Sequence, residues 1–158
     1  MVGLRDADSG ECAIRYAYGL TQAEIRRGRY AEGEGVTGKV IQTGETVIVQ
    51  DIDADPNYLA RAVDRKVLPG ETVSFIALPI EQDGRVIGVL GVHRLRKRTR
   101  ALADDLQILK IVATFIGQIM RLNQLVQERT SRLETENREL KYALQRKGAS
   151  YGAYGIVG

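Results

Sequence analysis

Cysteine and histidine each occur once in this chain of 158 residues, and tryptophan is absent. The single thiol, Cys12, closes no internal disulfide and by itself supplies no zinc or iron–sulfur site. It falls in an early strand, where a buried structural thiol is the expectation; a redox role needs an exposed, electropositive setting. The one imidazole, His93, has no motif around it that provides a nucleophile or an orienting carboxylate, as imidazole catalysis requires. No apolar run approaches the ~20 residues that span a bilayer. Met1 to Gly10 carries charges and lacks the apolar stretch of a signal peptide. A cytoplasmic protein with no membrane partner is expected. The net charge of +3 is too mild to argue for nucleic-acid contact. No metal site or cofactor motif is legible. Gly33-Glu-Gly-Val-Thr-Gly-Lys39 has a superficial likeness to a phosphate loop, but the preceding strand and the four-residue spacer are missing.

What is present is a core-forming composition, 44% hydrophobic and 27% charged. The chain divides by composition. Residues 1 to about 97 alternate short apolar runs with glycine-rich turns. Residues from about 101 to 147 contain no proline and only Gly117 as glycine, and residues 148–158 are glycine-rich again. Val2–Arg5 and Glu11–Tyr18 read as strands around an Asp-Ser-Gly turn. Opening on a hairpin, the natural protein is expected to be longer at this end. Thr21 and Glu24 form a capping box for a short helix to Arg27. Val36–Gln42 is a second helix, with Gly44 as its C-cap. Val47–Gln50 is β-branched, and Tyr58–Arg65 is expected to be helical. Ser74–Glu81 and Arg85–Arg94 flank Gln82-Asp83-Gly84, a hairpin signal because Asp-Gly tolerates the positive φ of a tight turn. Pro79 then demands a bulge or an outward-facing nitrogen. Strands with interspersed helices predict an α+β antiparallel sheet domain.

From Leu109 a heptad register runs without adjustment. Its a positions are Leu109, Ile116, Asn123, Thr130, Asn137 and Leu144; its d positions are Val112, Ile119, Val126, Leu133 and Leu140. This is the spacing of a coiled-coil seam. Ile108, Ile111, Phe115 and Met120 broaden the upper part, which is expected to bury a second face on the sheet. After Gln124 only the narrow seam remains. Two a-position asparagines favour a parallel homodimer, and Arg129 with Glu134 and Glu136 with Lys141 would pair across it. The expected interface is Ile116, Ile119, Asn123, Val126, Thr130, Leu133, Asn137, Leu140 and Leu144. The alternative is one amphipathic helix lying on its own domain or frayed in water.

Two charged groups stand out. Arg94, Arg96, Lys97, Arg98 and Arg100 form a basic cluster, either a solvated loop or a docking point for phosphate or a partner. Asp51, Asp53, Asp55, Arg61, Asp64 and Arg65 surround a polar lid above the sheet. That is a common place for small ligands and equally for ordinary surface ion pairs.

Gly33-Glu-Gly-Val-Thr-Gly-Lys-Val-Ile-Gln-Thr-Gly-Glu-Thr-Val-Ile-Val-Gln-Asp-Ile52 resembles the glycine-glutamate-glycine segment of GAF domains. Phe75-Ile-Ala-Leu-Pro-Ile80 with Val86-Ile-Gly-Val-Leu-Gly-Val92 resembles their central hairpin, and the stretch from Asp105 to Ala113 their last helix. Asp53-Ala-Asp-Pro-Asn-Tyr-Leu59, Ser74–Ile80 and Leu109-Lys-Ile-Val-Ala113 are similar to the amino-terminal GAF domain of NifA-type, sigma-54-dependent activators. The resemblance spans residues 2 to about 125 and implies a regulatory sensor of nitrogen fixation. In this arrangement residues 126–147 form a coiled-coil linker helix, and residues 148–158 are a flexible lead-in to an AAA+ ATPase. The implied input is a small metabolite such as 2-oxoglutarate, or a regulatory protein, acting between the sheet and residues 51–73. The expected lining is Val49, Asp51, Tyr58, Arg61, Arg65, Phe75 and Ala77. A ligand-free dimerisation module and a cyclic-nucleotide GAF domain of another signalling protein stay open. An enzyme is not expected, since the methionine-sulfoxide reductases that share the fold need several cysteines.

Overall fold

The computed structural model describes residues 1–96 and 101–154, with side chains on the last helix described as far as Gly148. Lys97, Arg98 and Arg100 of the basic cluster lie outside the described residues, as do residues 155–158. Two compact units are distinguished, Met1–Gln118 and Ile119–Gly158.

The first unit is built on a six-stranded sheet in the order β3-β2-β1-β6-β5-β4. The strands are β1 (Val2–Arg5), β2 (Cys12–Tyr16), β3 (Arg29–Tyr30), β4 (Val47–Val49), β5 (Val73–Gln82) and β6 (Arg85–Leu95). Every pairing is antiparallel. The β5–β6 hairpin turns through Asp83 at φ 51° and Gly84 at φ 75°, the left-handed pair that Asp-Gly supplies. β4 reaches only as far as Ala77 on β5, so Pro79 lies beyond that ladder; a register shift follows between Ile80 and Glu81.

The twofold alternation of β5 separates two cores. Val73, Phe75 and Ala77 join Val36, Val40 and Ile41 of α2 (Gly35–Thr43) on one face. Ile76, Leu78 and Ile80 join Leu102, Leu106, Leu109, Ala113 and Ile116 of α3 (Leu102–Tyr154) on the other. Burying each large aliphatic side chain contributes about 1.5–3 kcal/mol. The short α1 (Gln22–Arg27) begins with the expected capping box, Thr21 bonding the Glu24 amide and the Glu24 carboxylate bonding back. Gly44 closes α2 at φ 70°.

Three expectations need correction. Tyr58–Arg65 is not helical; only a 3-10 turn forms, at Arg65–Val67. In a helix the Asn57 carbonyl would accept from the Arg61 amide. Here it accepts the Val36 amide at 3.1 Å, and the Arg61 amide turns to Leu59. Second, the faces of α3 are exchanged. Leu109 and Ile116 pack on the sheet, so Ile116 is turned to its own domain rather than to a helix partner. Ile108, Ile111 and Phe115, expected on the sheet, are exposed instead. Close packing at Gly117 decides this: a Cβ there would lie 2.4 Å from the Glu81 carbonyl oxygen, so this face alone admits β5. Third, the backbone of α3 stays helical past Gly148 to Tyr154.

Within the second unit, Ile119, Asn123, Val126, Thr130, Leu133, Asn137, Leu140 and Leu144 are all exposed. No helix is long and apolar enough to cross a membrane among the described residues.

Candidate functional site

The segment from Asp51 to Thr72 places Ile52, Tyr58 and Leu68 on the Phe75 face of the sheet. Polar side chains hold it there. The Arg65 guanidinium grips the Asp53 carboxylate at 2.8 and 3.0 Å and donates to the carbonyls of Pro69 and Glu71 at 2.7 and 3.1 Å. Arg61 donates to the Arg29 carbonyl at 2.7 Å and ion-pairs with Glu34. Asp51, Asp55 and Asp64 each accept from a backbone amide two residues on, fixing successive tight turns. The Arg61 hydrogen bond holds the Glu34 carboxyl down to about 2. Arg65 does the same to Asp53 in direction.

Beneath this lid three rings meet. Tyr58 lies edge-on to Phe75, with ring centres 5.3 Å apart, and His93 lies 4.9 Å from Phe75. The Tyr58 hydroxyl and His93 Nε2 are 2.7 Å apart. Burial lifts the Tyr58 phenol to about 12. Burial first, and then the Met1 ammonium, drives the His93 imidazole down to about 4. The imidazole is therefore neutral at pH 7, and Nε2 accepts the proton that Tyr58 donates. The cavity beside this pair is lined by Met1, Tyr30, Val36, Thr37, Leu59, Ala62 and Val63 as well, and leaves ≈ 20 Å³ for the centre of a water molecule. That is enough for a water and too little for a metabolite. A neighbouring cavity of ≈ 80 Å³ lies against Ile52, Asp53, Tyr58, Ala60, Val63, Arg65 and Leu68.

Of the seven expected lining residues, the structure brings Tyr58 and Phe75 together. Arg65 lines only the neighbouring cavity. Val49 and Ala77 are core residues of the β4–β5 pair. Asp51 makes a turn, and Arg61 makes the outer ion pair. These four do not line the site, because their side chains are spent on the sheet and on holding the lid. His93, Tyr30 and Thr37 were not foreseen. The hairpin register could have found His93, since it lies opposite Phe75 and two steps beyond Gly91 opposite Ala77.

The Gly33–Lys39 segment is unsuited to phosphate. Glu34 is the N-cap residue of α2, and its carboxylate already accepts the Ala31 amide at 2.9 Å. Cys12 is 1% exposed, and burial pushes its thiol to about 12, the opposite of a reactive setting. Among the described residues no group of three His, Cys, Asp or Glu side chains could hold a metal.

Residues 2–120 match the GAF domain family. The chain belongs to the GAF family. Within it, the chain is 38% identical to a Nif-specific regulatory protein of Herbaspirillum seropedicae over 89% of this chain and 26% of that protein. It is 34% identical to nitrogen fixation protein AnfA of Azotobacter vinelandii, over 93% of this chain and 27% of the other. This GAF domain thus spans about a quarter of the length of these curated relatives. The A. aeolicus nlh2 GAF domain in an inactive state shares the fold, with a TM-score of 0.64 at 22% identity over 77% of this chain and 72% of the other. A free methionine-R-sulfoxide reductase from Neisseria meningitidis, in complex with its substrate, has a TM-score of 0.55 at 26% identity over 74% and 60%. The glycines that carried the resemblance have a steric reason: a Cβ at Gly38 would lie 2.2 Å from the Ala31 carbonyl oxygen.

Proposed function

We propose that this GAF domain is the regulatory sensor of a nitrogen-fixation transcription activator. A small metabolite or a regulatory protein acts at the lid, and two copies of α3 in parallel carry the result to a downstream sigma-54-activating ATPase. The relatives support the regulatory class. The observation that carries the mechanism is α3 itself. The helix whose Leu109 and Ile116 close one sheet face is the same helix that carries the exposed heptad positions from Ile119 to Leu144. A change in the sheet that moves those upper turns moves the lower ones too. Since Tyr58 fills the site, a ligand enters only a lid-displaced state, and its differential affinity for that state is the signal.

Light scattering tests the output half. The full chain is expected to be dimeric, and a version cut after Gln124 should dissociate at least tenfold more readily. Equal monomer masses for both would overturn the parallel-helix reading.

A second reading is favoured by one observation: the side chains of Tyr58, Phe75 and His93 themselves occupy the site. Under it the domain is a ligand-free dimerisation module.

A further inference from the structure

The upper turns of α3 are apolar on two sides. Leu109, Ala113 and Ile116 close the sheet. Ile108, Ile111, Val112 and Phe115, between 39% and 61% exposed, lie off that core. From Ile111 to Gln127 the only charged side chain is Arg121. A helix side left to water normally carries charge, and a contiguous apolar one marks an interaction surface.

The exposed apolar residues recur in steps of four and three: Ile108, Val112, Phe115, Ile119, Leu122 and Val126. After Val126 the next step is again four, to Thr130, where the a and d positions of the lower turns take over as far as Leu144. Ten steps thus cover 36 residues, or 3.6 per step, the repeat of an undistorted α-helix. The strict heptad from Leu109 requires 3.5, and two of its a positions, Leu109 and Ile116, are spent on the sheet. The successive steps of four, Leu122 to Val126 to Thr130, are a stutter, which locally unwinds a coiled coil. Nine large apolar side chains on this stripe are 39–67% exposed. Together they offer on the order of 700 Å² per copy, near the ~800 Å² per partner of a stable interface.

We propose that the free face of upper α3 pairs with the same face of a second copy, so that the parallel seam begins inside the sensor domain at Ile108 and changes phase once, between Leu122 and Thr130. The proposal rests on the parallel-helix reading above and extends it. The upper turns of each α3 then lie between their own sheet and the partner helix. A shift of Leu109 or Ile116 on the sheet is therefore a shift of Val112 and Phe115 in the interface.

Single cysteines read the seam. In a parallel pair each seam residue meets its own symmetry mate, within reach of a disulfide. Cys12, 1% exposed, takes no part. In the 158-residue chain under mild copper-phenanthroline oxidation, Val112→Cys, Phe115→Cys, Leu122→Cys and Leu133→Cys are each expected to give mostly covalent dimer. Lys110→Cys and Thr114→Cys, at exposed positions off the stripe, should give at least fivefold less. An antiparallel pair would bring at most one position to its own mate. Phe115→Lys should leave the far-ultraviolet circular dichroism unchanged and raise the dimer dissociation constant at least tenfold by sedimentation; an unchanged constant overturns the proposal. If Leu133→Cys cross-links while Val112→Cys and Phe115→Cys stay at the level of the two controls, something other than a second copy covers the upper face. The proposal then fails and the parallel-helix reading stands. If none of the four cross-links, both fail.

Discussion

Acid should loosen this domain through His93. Its imidazole is the only one in the chain, and burial beneath the lid holds it at about 4 instead of 6.5. The unfolded chain therefore binds a proton on this ring between those values, and the folded chain does not. Stability rises with pH wherever the unfolded state holds more protons, so the contribution is fully present above pH 6.5 and is lost as pH falls toward 4. The loss is about 1.4 kcal/mol at pH 5.5, about 2 kcal/mol at pH 5.0, and approaches ~3 kcal/mol at its limit. Carboxylates do not blur this window. Glu34 sits at about 2 when folded and 4.5 when free, and Asp53 is likewise lowered, from 3.8, so their losses fall at lower pH. Urea unfolding at pH 7.5, 6.0, 5.5 and 5.0 measures the slope. His93→Gln keeps a hydrogen-bonding group for Tyr58 without a titrating proton. It should flatten the slope between pH 6.5 and 5.0 while leaving the carboxylate losses below it. A folded-state imidazole titrating near 6.5 by NMR would refute the reasoning, as would equal slopes for the two proteins.

Two further substitutions probe the junction of α3 with the sheet. Gly117→Ala gains about 1 kcal/mol of helix propensity, yet its Cβ would lie 2.4 Å from the Glu81 carbonyl oxygen. The net effect in urea unfolding should be a loss of about 1–3 kcal/mol, whereas a net gain would show that α3 does not sit closely on β5. Asp105→Ala removes the carboxylate bonded to Arg94 Nε at 2.7 Å, where the side chains are only 11% and 8% exposed. Leaving that guanidinium buried should cost about 3–5 kcal/mol, and the double change Arg94→Met with Asp105→Leu should recover most of it.

The fold was legible where local chemistry repeats. The Thr21 capping box, the Asp83-Gly84 turn and the alternation along β5 each carry their own signal, and each element formed where that signal lay. Legibility failed where a distant partner decides. The helix expected at Tyr58–Arg65 lost its first carbonyl to the amide of Val36, a residue 21 positions before Asn57. On α3 both candidate faces are apolar, so periodicity could not choose between Leu109 with Ile116 and Ile108 with Phe115. Gly117 and Asp105, which make the choice, are not hydrophobic and fall outside any count of apolar positions.

The site was less legible than the fold, for a related reason. Charged residues near the lid drew the expectation toward Asp51, Arg61 and Arg65, but charge at a surface loop is mostly consumed by that loop. Arg65 alone meets Asp53, Pro69 and Glu71. The lining residues that this expectation passed over include neutral ones on regular elements, Thr37 on α2 and His93 on β6, the latter opposite Phe75 on β5. Register, not composition, brings them together. The same register puts Arg94, the next residue on β6, opposite Ser74 and bonded to Asp105 of α3. Consecutive residues of one strand thus meet the lid on one face and the exit helix on the other. A lone histidine followed by an arginine reads in sequence as the edge of a basic patch. In the folded chain the histidine turns to Tyr58 of the lid, and the arginine one peptide unit on turns to Asp105 of α3.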